Sequence, residues 1–300
     1  MKTLDRFPTT RAEATCWGMN RAMSSTNMVT LVSEADAASM QRLRDRVSAA
    51  GGTPPSYTAL VIKAAALTMQ RNPQANRAIL GFPFLRRLYQ FRNVDISVAI
   101  EKELPGLPGQ AFAAPVCDTL GKSLDAITRE LRALAECDEH SDTRYRTWMR
   151  ILRHVPRPLS LYLINLPYAF PSLWVRYRGC AAWVNAPSRS GADLVMTTWP
   201  WPISFSFGIV RKRPVVIDDQ VQARATMPLV MVFDRRIMGG GPAGRIFAQF
   251  KRILENAEAE LADVGEPAAS RPLAGTAAAP AAGARAASTM QAPEAPHQPA

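Results

Sequence analysis

Residues 229–247 read LVMVFDRRIMGGGPAGRIF: an apolar run, a charged turn, a glycine cluster and the start of an amphipathic segment. The glycines at 239–244 fit the G-x-G-x-x-G pattern of dinucleotide-binding loops. That pattern needs a second strand after the helix, with an acidic residue about 20 residues further on. Here the helical pattern runs to about Leu261 and is followed by an Ala/Pro-rich stretch, not by a second strand. A dinucleotide-binding loop is therefore excluded. A P-loop is excluded as well, because Arg245-Ile246 follow the last glycine in place of Lys and Ser or Thr.

Strand-like and helix-like segments alternate on the N-terminal side of this stretch. Asp36 and Ser56 are candidate N-caps, because each is followed by apolar residues at helical spacing. The predicted helices span 35–50, 57–71, 123–136 and 242–261. The predicted strands span 27–34, 94–100, 111–116, 194–198, 203–210 and 227–233. This alternation predicts an α/β fold.

The segment FDRRIMGG (233–240) resembles the F-D-H-R-x-x-D-G signature of a known enzyme family. The family is the catalytic domain of the dihydrolipoyl acyltransferases of 2-oxo acid dehydrogenase complexes. Further stretches resemble it in the same order, and together they cover most of 25–136 and 194–261. These stretches are 28–47, 56–76, 93–136 and 210–234. The resemblance implies a two-layer α/β sandwich of the chloramphenicol acetyltransferase type, with a mixed sheet and helices on one face. It also implies a homotrimer, because the family builds its active site between subunits.

The predicted domain organisation is an acyltransferase-like domain over 1–262 and a disordered Ala/Pro-rich tail over 263–300. No lipoyl or subunit-binding segment is recognisable, which predicts a stand-alone module. Residues 145–185 interrupt the family pattern with a basic, aromatic insertion that contains four prolines. Its apolar pieces are too short to span a bilayer. It is expected to pack on the domain or on a neighbouring subunit, or else to make peripheral contact with a membrane through its Trp, Tyr and Arg side chains.

The resemblance also implies site residues. In the family the signature His is the general base, a Ser or Thr hydrogen-bonds the oxyanion, and the signature Asp is structural. Here Arg235 stands at the His position and Gly239 at the Asp position, and Thr197 and Thr198 are the candidate oxyanion donors. Arginine stays protonated and only donates hydrogen bonds, so Arg235 cannot be the base. His154 is a weaker candidate for a substitute base, since a packing or exposed histidine is the commoner case.

Two functions remain open from the sequence. The first is transfer of an acyl group from a coenzyme A or carrier-bound thioester to a small acceptor, with an acyl carrier protein as a conceivable partner. In that role Arg235 is expected to stabilise an oxyanion or to bind a carboxylate or phosphate. The second is a non-catalytic binding or scaffold protein that keeps the fold without the base. In that case a structural ion pair is expected for Arg235.

The composition narrows the remaining classes of function. The 300-residue chain has a formal net charge of +11, but it carries no nucleic-acid-binding signature, so no nucleic-acid partner is expected. Its four cysteines fit neither a zinc site nor a disulfide framework, and no metal is expected. The N-terminus lacks an apolar signal-peptide core, which predicts a cytoplasmic protein.

Overall fold

The computed structural model describes residues 27–82, 85–104, 107–186, 191, 193–198 and 200–262. The tail predicted at 263–300 lies outside these residues. The strands are β1 (Met28–Asp36), β2 (Arg77–Leu80), β3 (Arg87–Gln90), β4 (Ile96–Leu104), β5 (Leu107–Val116), β6 (Ala182–Asn185), β7 (Ile203–Phe207), β8 (Arg211–Ile217) and β9 (Gln220–Asp234). The helices are α1 (Ala38–Ala49), α2 (Tyr57–Arg71), α3 (Leu124–Glu136), α4 (Thr143–His154), α5 (Arg157–Ala169), α6 (Pro171–Arg178), α7 (Gly240–Glu255) and α8 (Ala257–Glu260).

The main sheet has seven strands in the order β1-β9-β7-β6-β4-β5, and β8 also pairs with β9. Strand β6 runs parallel to both of its neighbours, β4 and β7, and the other pairs are antiparallel. Strands β7 and β8 pair with successive parts of the long strand β9. A separate two-stranded sheet joins β2 to β3. The sheet is therefore mixed, as the family resemblance implied.

Helices α1, α2, α3 and α7 form the core against one face of this sheet. Helix α2 is buried on nearly every side, which explains why its sequence is apolar without a polar face. Its start is set by Ser56, whose side chain accepts a hydrogen bond from the Ala59 amide at 3.1 Å. Asp36 acts one residue earlier than a standard N-cap, because its Oδ1 accepts from the Ala38 amide at 2.7 Å. The α/β sandwich predicted from the sequence is thus confirmed.

The opposite face of the sheet is covered near β6 by helix α6. Side chains alternate along a strand, so Trp183 points away from the core that holds Ala182 and Val184. Its indole packs instead against Trp174 of α6 and Trp201, and all three tryptophans are buried. The helices on the first face therefore build the main core, and α6 adds a smaller aromatic cluster on the second.

The segment 145–185 is part of the domain and contributes a strand to the main sheet. It holds most of α4, all of α5 and α6, and finally β6, which lies between β4 and β7 in the middle of the sheet. The prolines fall mostly at helix starts: Pro158 and Pro171 occupy the first turns of α5 and α6. The last four residues of this segment therefore belong to the main sheet.

One predicted strand is absent, and the last predicted helix has different bounds. Residues 194–198 form no strand, because β7 already has β6 on one side and β9 on the other, so no sheet edge is free there. The helix predicted over 242–261 begins at Gly240 and is divided at Asn256 into α7 and α8. The Asn256 side chain donates to the Arg252 carbonyl at 2.8 Å and so caps the end of α7.

Candidate functional site at the signature turn

The turn that follows β9 is fixed by backbone hydrogen bonds to both neighbouring strands. The Asp234 amide donates to the Pro202 carbonyl at 2.7 Å, on the β7 side. The Arg235 amide donates to the Asn27 carbonyl at 2.9 Å, on the β1 side. The Ile237 amide closes the turn onto the Asp234 carbonyl at 3.0 Å. The sheet therefore presents residues 234–238 in a fixed conformation.

Asp234 and Arg236 form a bidentate ion pair within this turn. Arg236 Nη2 lies 2.6 Å from Asp234 Oδ2 and Nε lies 3.0 Å from Oδ1. The Arg236 amide also donates to Oδ1, at 2.9 Å. Asp234 is buried, so its charge depends on these donors, and the pair in turn raises the pKa of Arg236. Asp234 and Arg236, two of the signature residues that match the family, thus hold the turn together.

Arg235 lies between these partners in the chain. Its side chain is exposed, and it forms no hydrogen bond or ion pair with any residue that the structure describes. A structural ion pair for Arg235, one of the two expectations from the sequence, is therefore not seen within the described part of the protomer. The guanidinium is available to an external anion.

Gly239 is the N-cap of α7, with φ −78° and ψ 170°, a conformation open to any residue. A Cβ added there would meet only Pro242 Cδ, at 4.0 Å. Gly240 and Gly244 also leave open space around an added Cβ. The glycine cluster therefore does not form a tight backbone cradle, and the turn has room for the Asp of the family signature. The first amides of α7 have no partner within the helix, as at any helix start.

Thr197 and Thr198 lie on the irregular segment 193–198, Thr197 half-buried and Thr198 exposed. The segment starts beside the far end of β7, where a Cβ on Gly208 would lie 1.9 Å from the Asp193 carbonyl oxygen. Arg235 lies at the other end, where Phe233 pairs with Ile203. Among the described residues no hydrogen bond joins either threonine to Arg235.

His154 does not reach the signature turn within one protomer. It ends α4, which packs on β5 through Tyr145 and Trp148 against Phe112. Strand β5 is four strands away from β9, a separation of about 19 Å at the usual strand spacing. The exposed His154 therefore cannot serve as the base beside Arg235 in the same subunit.

The chain matches the family model for the 2-oxoacid dehydrogenases acyltransferase (catalytic domain) over residues 6–144 and 205–262. The protein belongs to this acyltransferase family. Residues 145–204, which the match omits, include α5, α6 and β6.

A curated relative of this acyltransferase-family chain is the mitochondrial dihydrolipoyllysine-residue acetyltransferase component 3 of the pyruvate dehydrogenase complex of Arabidopsis thaliana. The two are 26% identical over 215 residues, which make up 71% of this chain and 33% of the relative. The chain therefore spans about a third of the length of that relative.

Solved structures show the same fold at low sequence identity. A probable dihydrolipoamide acetyltransferase from Listeria monocytogenes superposes with a TM-score of 0.60 at 20% identity, covering 85% of this chain and 96% of that one. The dihydrolipoamide acetyltransferase of Azotobacter vinelandii gives 0.63 at 18% identity, with 86% and 94% covered. The cubic core of a pyruvate dehydrogenase multienzyme complex gives 0.63 at 19% identity, with the same coverage. The fold predicted from the signature is confirmed.

Lys63 is a buried charge of the acyltransferase-family domain that the motif search did not single out. Its ammonium donates to the carbonyls of Leu120 and Lys122, both at 2.7 Å, and of Thr119 at 3.1 Å. Burial lowers the pKa of Lys63 from its ordinary value of 10.5 to about 8, and nearby Asp118 partly offsets this. The signal was visible in the sequence as one lysine in the middle of an apolar helix.

The requirements of a metal site and of a membrane-spanning helix are not met by the described residues. Within the described residues no group of three or more His, Cys, Asp or Glu side chains is arranged to hold a metal ion. In the same part of the chain no helix is both long and apolar enough to cross a membrane.

Proposed function

We propose that the protein binds an acyl thioester, of coenzyme A or of a carrier-bound pantetheine, at the signature turn and transfers the acyl group to a small acceptor. The observation that carries the proposal is the exposed Arg235 guanidinium, held between the ion-paired Asp234 and Arg236 and next to the open start of α7. Both features favour anions, through charge-assisted hydrogen bonds and free helix-start amides.

In the proposed reaction the hydroxyl, thiol or amine of the acceptor attacks the thioester carbonyl. A tetrahedral oxyanion forms, and loss of the thiolate leaves the acyl group on the acceptor. The proton of the acceptor passes to water or to the leaving thiolate, because Arg235 is already protonated. Arg235 would stabilise the oxyanion or hold a phosphate, and alignment of the two substrates would supply the rest of the rate acceleration.

The proposal includes a homotrimer in which a neighbouring subunit completes the site. This is consistent with the lack of a hydrogen bond between Arg235 and either threonine among the described residues of one protomer. The hairpin of β8 and β9 offers a contact surface, since Val216 and Val221 pair across it and are 67% and 72% exposed. Exposed apolar pairs of this kind are typical of interfaces. Analytical ultracentrifugation of the wild type and of Val221→Asp tests this, and a monomeric wild type would contradict it.

The alternative is a binding or scaffold protein without catalysis. It is favoured by one observation: the described part of the turn holds no imidazole and no free carboxylate beside Arg235. A positioned general base is typically worth about 10²–10⁴ in rate, so its loss is severe.

Release of free thiol from acetyl-, butyryl- and octanoyl-coenzyme A, with and without hydroxyl, thiol and amine acceptors, tests the proposal. We expect binding in the micromolar to millimolar range and slow, acceptor-dependent release, both weakened in Arg235→Ala. Arg129→Ala, on the exposed face of α3, is the matched control. Binding without release would establish the scaffold alternative. If the protein neither binds nor cleaves any thioester of the panel, the proposed acyl transfer is refuted.

Peripheral membrane contact is a second candidate role for the insertion, favoured by exposed apolar side chains on α5, on α6 and at the junction between them. These are Leu159 (51% exposed), Tyr162 (74%), Phe170 (41%) and Val175 (44%). Flotation with vesicles containing anionic lipid, compared between the wild type and Tyr162→Glu, tests this role. Equal recovery of both proteins in the lipid fraction, or of neither, would count against it.

A further inference from the structure

A cavity of about 400 Å³ lies between the edge strand β5 and the insertion helices α4, α5 and α6, with Pro200 and Trp201 at one side. Its volume is within the range of small-molecule sites. The walls are mainly apolar, with side chains that include Phe112, Trp148, Ile151, Leu163, Leu173 and Trp201. Two charged residues, Arg144 and Arg178, also line it, and none of the described lining residues is acidic.

Arg178, the last residue of α6, is held in one position by its backbone. Its carbonyl accepts hydrogen bonds from Ser97 Oγ and from Trp201 Nε1, both at 2.7 Å. Gly179 follows with φ +65°, and a Cβ there would lie 2.5 Å from the Asp95 carbonyl oxygen. The chain therefore turns sharply into β6, and the Arg178 side chain remains on the cavity side of the sheet.

The guanidinium of Arg178 is buried without a counter-charge. The residue is only 8% exposed, and no carboxylate pairs with it among the described residues. Nη2 donates to the Ile164 carbonyl at 3.2 Å, whereas Nε is buried with no acceptor. The rings of Tyr168, Trp174 and Trp201 surround it at 5.1–5.7 Å and offset part of the cost. Burial lowers the pKa of Arg178.

Arg144, the other cation of the cavity wall, differs from Arg178 because it has partners within the protein. Its Nη2 lies 3.1 Å from Asp142 Oδ2, and its Nη1 donates to the Pro115 carbonyl at 3.1 Å. Arg144 is therefore neutralised and hydrogen-bonded by the protein itself. A buried cation that lacks such partners is costly, and an anionic ligand would compensate it.

We propose that this cavity binds a small amphipathic carboxylate, with its alkyl chain along the apolar walls and its carboxylate on Arg178. A guanidinium presents parallel N–H donors that match the two carboxylate oxygens, and Arg178 reaches the cavity wall with no carboxylate of the described residues to occupy them. The site is made largely by residues 145–204, outside the part of the chain that matches the family. Arg235 is not among the lining residues, and the proposal does not depend on the proposed acyl transfer.

Titration of the full chain with octanoate tests the proposal. Calorimetry follows the binding, as does the tryptophan fluorescence, to which Trp148 and Trp201 in the cavity wall contribute. We expect saturable binding of octanoate, and binding at least about tenfold weaker for octanol, which lacks the charge. Octyl phosphate distinguishes the head group: tighter binding than octanoate would overturn the assignment to a carboxylate. Equal affinity for octanol, or no binding of octanoate, would overturn the proposal.

Variants locate the site. Arg178→Met is expected to bind octanoate at least about tenfold more weakly, because it removes the charged donor and keeps the apolar volume. Arg176→Met, which removes an exposed arginine two residues away, is the matched control and should bind within about twofold of the wild type. Ile151→Trp, which reduces the volume of the cavity and leaves Arg178 in place, should weaken binding while the circular dichroism spectrum is retained. Unchanged octanoate binding in folded Arg178→Met or Ile151→Trp would refute the proposed site.

Discussion

Asp234 and Arg236 form an ion pair in which Arg236 Nη2 lies 2.6 Å from Asp234 Oδ2. Arg235 is the single residue between them. The ion pair turns the buried carboxylate and the second arginine towards each other. Arg235 is left exposed, and its side chain bonds to none of the described residues. The turn is thus held by Asp234 and Arg236, while Arg235, predicted to stand at the position of the signature His, carries a positive charge.

Removing the ion pair should loosen the turn. We expect Asp234→Asn to lower the free energy of unfolding by about 1–3 kcal/mol, because charge-assisted hydrogen bonds to a buried acceptor are lost while Arg236 stays partly solvated. Urea denaturation measures this. Asp125→Asn, in the exposed pair with Arg129, should cost less than about 0.5 kcal/mol. Similar losses for the two variants would contradict a structural role for Asp234.

Restoring the family base tests whether the rest of the site is intact. We expect Arg235→His to increase acceptor-dependent thiol release at pH 7–8 by about 10²-fold or more, because a neutral imidazole accepts the acceptor's proton. The rate should then rise through the titration of the new histidine, near pH 6.5 in the absence of perturbation. Stopped assays from pH 5.5 to 8.5 give the profile. An unchanged rate with retained thioester binding would mean that the surrounding site no longer supports transfer.

Gly239 and Gly179 should differ sharply in how well they tolerate a larger side chain. We expect Gly239→Asp to leave the melting temperature unchanged or to raise it slightly, since the position is an open N-cap where a carboxylate gains a few tenths of a kcal/mol. Gly179→Ala should instead cost more than about 1 kcal/mol, because φ is +65° and the new Cβ would meet the Asp95 carbonyl. Thermal unfolding of both variants compares them. Destabilisation by Gly239→Asp would mean that the turn is tighter than described.

Lys63 should make stability depend on pH in the alkaline range. Its pKa of about 8 in the folded state lies below its ordinary value of 10.5, so the unfolded chain binds more protons between these values. The free energy of unfolding of the wild type should therefore rise with pH relative to Lys63→Met, by about 3 kcal/mol over the full interval. Denaturation from pH 7 to 9.5 measures the slope, and Lys212→Met shows the effect of removing an exposed lysine. A difference that falls with pH would contradict the prediction.

The parts of the fold that could be predicted are those with local signals. Ser56 caps α2 as expected, the helix predicted over 123–136 is present as α3, and the apolar run before the signature forms the end of β9. The misread segment 194–198 has the apolar character of a strand, but its place beside β7 is occupied by β6. Strand β6 is only four residues long, and its partners lie far away in the chain, so no local pattern identifies it.

The candidate sites divide in the same way. Arg235 could be found because its neighbours match a signature, and its exposure follows from its place in a turn. Arg178 could not be found, because nothing in the sequence separates it from the exposed Arg176 two residues earlier. Its burial depends on Trp174, Trp201 and Tyr168, which come together only when the insertion folds across the sheet.

The position of β6 decides how this protein can be dissected. A shortened version that retains only the family-matching residues would lose the strand between β4 and β7 and split the seven-stranded sheet in two. In such a deletion β4 and β7 each lose β6 as their parallel partner, and the buried Trp183 of β6 is removed as well. The insertion therefore cannot be deleted without disrupting the sheet. Its roles can be separated from those of the signature turn only by single substitutions.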